Sequence, residues 1–144
     1  MKFKSFTSLP DQEMLHGILQ LHESIFGDAS NVIQKMKSKP NLVIHVALDQ
    51  TKVVGYKMGY ELDLDTFYSW LGGVSKHYRN QGIASQLMEI QHSFLRDKGY
   101  TTVQTKTKNE WRNMLILNLK FGFNVIGTYT DQKGEPKIIL EKNL

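Results

Sequence analysis

Val74-Ser75-Lys76-His77-Tyr78-Arg79-Asn80-Gln81-Gly82-Ile83-Ala84-Ser85 joins the end of one predicted strand to the start of the strongest predicted helix, and its reading decides the fold. Upstream, Phe67, Tyr68, Trp70, Leu71 and Val74 supply a strand with Gly72-Gly73 near its end, where a bulge or a close backbone approach is permitted. Downstream, Ile83, Leu87, Ile90, Phe94 and Leu95 form an apolar stripe, with Gln86, Glu89, Arg96 and Asp97 outside it. Residues 83–98 therefore read as an amphipathic helix stopped by Gly99. A helix start leaves several amide hydrogens without intrahelical acceptors. Gly82 removes bulk beside them, Ala84 keeps the first turn narrow and Arg79 adds positive charge, so the turn suits an anion such as a pyrophosphate. The same spacing also suits a plain glycine loop entering a helix. It is neither the phosphate loop ending Gly-Lys-Ser/Thr nor the Gly-x-Gly-x-x-Gly fingerprint.

Working outward, Tyr100 to Thr105 reads as the next strand, so residues 67–105 form a strand–helix–strand unit, which favours a parallel, right-handed crossover. Leu42 to Leu48 and Lys52 to Glu61 read as paired antiparallel strands, and Met1 to Phe6 alternates as a short opening strand. Leu15, Ile18, Leu19, His22, Ile25 and Phe26 predict a helix from about Pro10, capped by Ser8 and ended by Gly27-Asp28. A shorter helix over 30–39, another from Trp111 to Phe121 and closing strands at Phe123 to Tyr129 and Lys137 to Glu141 complete the chain. The expectation is a single α/β (α+β) domain spanning 1–144, with a mixed, mostly antiparallel sheet of six or seven strands and helices on both faces.

Composition narrows the chemistry. The 144 residues contain no cysteine, which excludes disulfide frameworks, thiolate metal sites and thiol nucleophiles. Eighteen Lys plus Arg against fourteen Asp plus Glu give +4, a modest bias toward anionic partners. The basic runs Lys35, Lys37, Lys39 and Lys106, Lys108, Arg112 lack interleaved stacking aromatics, so no dedicated nucleic-acid site is expected. His22-Glu23 is followed by Phe26 rather than a second histidine, and His16, His45, His77 and His92 form no compact ligand pattern, so no metal is expected. Neither Ser75 nor Ser85 has the histidine–acid order of a hydrolase nucleophile. With no apolar run of about 18 residues and no signal-peptide core at the start, a cytoplasmic protein without a membrane partner is expected.

Over nearly its whole length the sequence resembles the GNAT superfamily of acyl-CoA-dependent N-acyltransferases. Arg79-Asn80-Gln81-Gly82-Ile83-Ala84 is similar to the family's Gln/Arg-x-x-Gly-x-Gly/Ala segment, and Leu117-Asn118-Leu119-Lys120-Phe121-Gly122-Phe123 to its Leu-Tyr-x-Lys-x-Gly-Phe segment. The resemblance implies acetyl-CoA as acyl donor, with Arg79, Asn80, Gln81, Gly82, Ile83, Ala84 and Ser85 cradling its pyrophosphate. It implies backbone contacts from the Val74 region to the pantetheine or acyl group, and a separation of the strands ending near Val74 and Thr107 to admit the thioester. Asn109 and Asn113 are then candidate coenzyme contacts, with Trp111 at the family's frequent asparagine position. Asn118 stands where many members have a tyrosine that protonates the departing thiolate. An amide cannot deliver a phenolic proton, which leaves a hydrogen bond to the sulfur, or water, to complete the step.

The implied reaction is direct attack of a primary amine, on a small molecule or a protein, without an acyl-enzyme intermediate. A lysine-like acceptor with pKa of about 10.4 costs about 4–5 kcal/mol to deprotonate near pH 7. Glu61 and Asp65 flank the turn into the acyl-binding strand and are the candidate proton acceptors; as turn carboxylates they also suit plain solvation. Tyr56, Tyr60, Phe67 and Trp70 line either an acceptor cleft or an ordinary strand core. The missing tyrosine keeps a non-catalytic acyl-CoA-binding or regulatory domain as the alternative. A monomer and a homodimer are both compatible with the chain.

Overall fold

The computed structural model describes residues 1–144. Seven strands form one sheet: β1 (Lys2–Phe6), β2 (Val43–Asp49), β3 (Lys52–Glu61), β4 (Thr66–Val74), β5 (Thr102–Thr107), β6 (Asn124–Thr130) and β7 (Pro136–Asn143). Their order is β1-β2-β3-β4-β5-β7-β6, and every neighbouring pair is antiparallel except β4 with β5. The helices are α1 (Gln12–Phe26), α2 (Val32–Ser38), α3 (Ile83–Asp97) and α4 (Arg112–Lys120). No helix is long and apolar enough to cross a membrane.

Strand β2 shows why the sheet needs cover on both faces. Successive side chains alternate sides. Ile44, Val46 and Leu48 join Ile18, Leu21, Val32 and Met36 of α1 and α2, whereas Ala47 packs with Ile83 and Leu87 of α3. Val43, on that second side, joins a third cluster with Phe67, Met88, Leu95, Val103 and Leu140. The expected mixed sheet with helices on both faces is thus observed.

Two boundaries differ from the sequence reading for identifiable reasons. Asp11, rather than Ser8, caps α1, because its carboxylate accepts the Met14 amide at 2.9 Å. Strand β5 starts at Thr102 rather than Tyr100. Gly99 ends the preceding helical run at φ +93°, the Tyr100 amide returns to the Leu95 carbonyl, and those of Thr101 and Thr102 bind the Asp65 carbonyl.

Candidate active site

The parallel ladder between β4 and β5 runs from Thr66 opposite Thr102 to Ser69 opposite Thr105 and then stops. Beyond that pair, β4 continues to Val74 against β3 alone, and β5 continues to Thr107 against β7 alone. A bulge coincides with the parting: Met58 pairs with Leu71 and Gly59 with Ser69, which leaves Trp70 as the extra residue. Gly59 makes this register possible, since a side chain there would collide with the Tyr68 carbonyl oxygen and the Phe67 ring. The Thr105 hydroxyl donates to the Ser69 carbonyl at 2.9 Å, closing the ladder where it ends. The two parallel strands therefore part toward Val74 and Thr107, where the family resemblance implies a separation.

At that open end the chain turns sharply. The Ser75 amide donates to Val54, and a single turn at Lys76–Tyr78 leads to Asn80 at φ +64° and Gly82 at φ +79°. Gly82 is the N-cap of α3 and supplies no side-chain acceptor. None of the amides of residues 79–85 finds a backbone acceptor; the first that does is Gln86, bound to the Gly82 carbonyl at 3.0 Å. Buried Ile83 anchors the turn in the core, while a Cβ on Gly82 would meet nothing within 4 Å. Arg79 extends alongside, its Nε donating to the Val74 carbonyl at 3.2 Å. Free amides, a helix start and a guanidinium around open space are the donor set a pyrophosphate needs.

The carboxylates lie elsewhere. Glu61 ends β3, pairs with Phe67 and accepts the Tyr100 hydroxyl at 2.7 Å. Burial first, and that bond second, push the Tyr100 phenol up to about 12. Asp65 is exposed in the turn before β4, its carbonyl tied to the first residues of β5. Both stand at the closed end of the ladder, about 10 Å of strand from the bulge for Glu61, through its partner Phe67, and about 17 Å for Asp65. Sequence reasoning places them at the turn into the acyl-binding strand, and there they stand, the Glu61 carboxylate holding Tyr100 and the Asp65 carbonyl holding Thr101 and Thr102.

Of the aromatic candidates, Tyr56 and Phe67 are core residues, 1 % and 0 % exposed, with the Tyr56 hydroxyl bonded to His22. Tyr60 and Trp70 are half-buried at the mouth of the opening, on the side of the sheet covered by α1 and α2, with ring centroids 5.8 Å apart. Tyr68 joins them, 5.4 Å from Tyr60. Burial, with the Tyr60 and Tyr129 phenols nearby, raises Tyr68 to about 12. Sequence reasoning missed Tyr68 and Tyr129 as members of this group, and missed the two lysines that lie over it, Lys39 and Lys106. In the sequence both lysines read only as members of basic runs; contacts between distant segments place them here.

A family profile described as the Acetyltransferase (GNAT) domain matches residues 40–125, more than half of the chain. The chain belongs to the GNAT family. Its fold is shared with solved GNAT enzymes. The ribosomal-protein-S18-alanine N-acetyltransferase from Escherichia coli superposes with a TM-score of 0.81 at 17% identity, over 99% of this chain and 94% of that one. A GNAT family acetyltransferase from Elizabethkingia anophelis, solved with acetyl-CoA bound, gives 0.75 at 18% identity over 99% and 97%. The aminoglycoside 6'-N-acetyltransferase from Enterococcus faecium gives 0.79 at 14% identity over 99% and 97%. No curated protein matches the sequence significantly.

Within this GNAT fold, Asn118 is the sole buried residue of α4, 3 % exposed. Its carbonyl accepts the amides of Phe121 and Phe123, which fixes the helix end against Gly122 at φ +93°. Asn113 is exposed on the first turn of α4, and Asn109 is exposed just before it. Trp111, at the N-cap, carries the ammonium groups of Lys108 and Lys137 over its ring and touches Phe26 at the end of α1. On the α3 side, Lys57 lies between His45 and Gly72 in the sheet, and burial lowers its pKa to about 8.

Proposed function

We propose that this GNAT protein transfers an acetyl group from acetyl-CoA to a primary amine by direct attack of the amine nitrogen. The observation that carries the reading is the union, at one end of β4, of a parted parallel ladder and the free amides of residues 79–85. In this reading Arg79, Asn80, Gln81, Gly82, Ile83, Ala84 and Ser85 hold the pyrophosphate. The backbone of β4 from the bulge to Val74 lies along the thioester arm. Asn113 and Asn118 offer amide contacts from α4. Acetyl-CoA, when bound, supplies an activated thioester.

The chain's own contribution is positioning and electrostatics. Backbone groups of β4 that face β5 have no strand partner beyond Ser69, so they are available to polarise an acyl carbonyl. The buried rings of Tyr56 and Phe67 pack in the cores on opposite faces of the sheet. The acceptor, a small-molecule amine or a protein amino group, enters past Trp70. The nitrogen–carbon bond forms as the carbon–sulfur bond breaks, the coenzyme leaves as its thiolate, and the amine's proton passes through water to that thiolate, with Glu61 engaged by Tyr100 and Asp65 in the exposed turn.

Asn118 favours one second reading, a domain that binds acyl-CoA without transferring its acyl group. Calorimetric titration with coenzyme A and acetyl-CoA, followed by thiol-release assays and product mass analysis over an amine panel, separates the two. Binding with acetylated product supports the transferase. Binding with no product from any amine supports the non-catalytic reading, and no binding removes both.

A further inference from the structure

Trp70 on β4 and Lys106 on β5 are the first residues past the last parallel pair, so they flank the mouth of the opening. Trp70 packs against the core beneath α1 and α2, on the face opposite the one where Ile83 seats the coenzyme turn. A row of rings floors this mouth. Tyr60 lies 5.4 Å from Tyr68 and 5.8 Å from Trp70. The Lys39 ammonium sits over Tyr60 and Trp70 at 4.7 and 5.2 Å, and the Lys106 ammonium over Tyr129 and Tyr68 at 5.2 and 5.8 Å.

The two lysines differ from their neighbours in one respect. Lys108 and Lys137, over Trp111, are neutralised by Glu110, Glu135 and Asp131. Lys39 and Lys106 take part in none of the chain's ion pairs. A ring face attracts a cation through its quadrupole and leaves the full charge in place. The mouth therefore offers two uncompensated positive charges on an aromatic floor, and a ligand with a negative group and an apolar body complements it.

We propose that the acceptor is a small amine that also carries a carboxylate, with the carboxylate held by Lys39 and Lys106 and the body on the Tyr60–Tyr68–Trp70 floor. This rests on the acetyl-transfer reading above. A polyamine meets repulsion from both lysines.

The test uses the full chain with acetyl-CoA and three acceptors: L-phenylalanine, phenethylamine, which is the same amine without the carboxylate, and spermidine. Each is assayed with the natural protein and with the Lys39→Met, Lys106→Met and doubly substituted variants. The expected result is a kcat/KM for phenylalanine at least about tenfold above phenethylamine, as for a charge-assisted hydrogen bond. The double variant should lose that preference while coenzyme affinity stays constant. Preference for phenethylamine or spermidine overturns the proposal, as does a preference that survives both substitutions. Coenzyme binding without acetylation of phenylalanine also overturns it. Failure to bind coenzyme at all strikes the underlying transferase reading instead.

Discussion

The hydroxyl of Thr105 donates to the carbonyl of Ser69 at 2.9 Å across the last pair of the only parallel ladder in the sheet. One step further, Trp70 is bulged and the strands have parted. This bond holds the hinge of the opening, where the strand ladder offers Ser69 no continuing partner. Thr105→Val keeps the shape and removes the donor. The expected loss is about 0.5–1.5 kcal/mol in urea unfolding, with a larger proportional fall in acetyl transfer than in coenzyme binding. Unchanged stability and activity would show that the ladder ends without help from this side chain.

Gly82 carries two separable burdens. Its φ of +79° strains any other residue, at a cost of roughly 1–2 kcal/mol, while its missing side chain leaves the space before the free amides open. Gly82→Ala bears the full strain and Gly82→Asp a smaller one, and only the aspartate adds negative charge to the anion cradle. The aspartate, which tolerates positive φ better and can cap α3, should lose less stability than the alanine, yet it should bind coenzyme A at least about tenfold more weakly. Titration calorimetry on the two folded variants makes the comparison; equal affinities would place the pyrophosphate elsewhere.

Glu61 and Asp65 give the opposite kind of prediction. Glu61 is occupied by the Tyr100 hydroxyl, and Asp65 is engaged through its backbone with Thr101 and Thr102. Glu61→Gln should therefore cost stability, about 1 kcal/mol, by weakening a hydrogen bond to a charged acceptor, and change kcat/KM less than about threefold. Asp65→Asn should leave both nearly unchanged. A hundredfold fall in kcat for either variant, with the fold intact, would restore it as the proton acceptor.

These contrasts show what sequence makes legible. The run from Val74 to Ser85 is read correctly because strand end, glycine turn and amphipathic helix are all encoded within a few neighbouring residues. The opening between β4 and β5 is suggested only through the family resemblance, because the bulge at Trp70 is set by register against Met58 and Gly59 on another strand. Glu61 reads as a free turn carboxylate until Tyr100, 39 residues away, is folded against it. Lys39 and Lys106 likewise look like members of two solvated basic runs; the group they form with Tyr60, Tyr68, Trp70 and Tyr129 draws on four strands and the end of α2. Local pattern specifies elements, and long-range register decides which side chains meet.

Where α3 packs on the sheet, His92 of α3 and His45 of β2 are each 1 % exposed, and the Nε2 atom of each lacks a partner. Burial, reinforced by Lys57 at both and by Lys142 and Arg96 at His92, lowers their pKa values to about 4 and about 3. Both rings are neutral in the folded chain, whereas in the unfolded chain they take up protons near pH 6.5. Between those values the unfolded state binds more protons, so this stabilisation is complete above about pH 6.5 and fades as pH falls toward 4 and then 3. The loss reaches on the order of 3 kcal/mol for His45 at the acid end. Urea midpoints measured from pH 7.5 to 4.5 should fall steadily in the natural protein. His92→Gln, which cannot take up a proton in this range, should flatten that dependence. An equal slope in the variant would mean that acid destabilisation comes from His45 or from carboxylates rather than from His92.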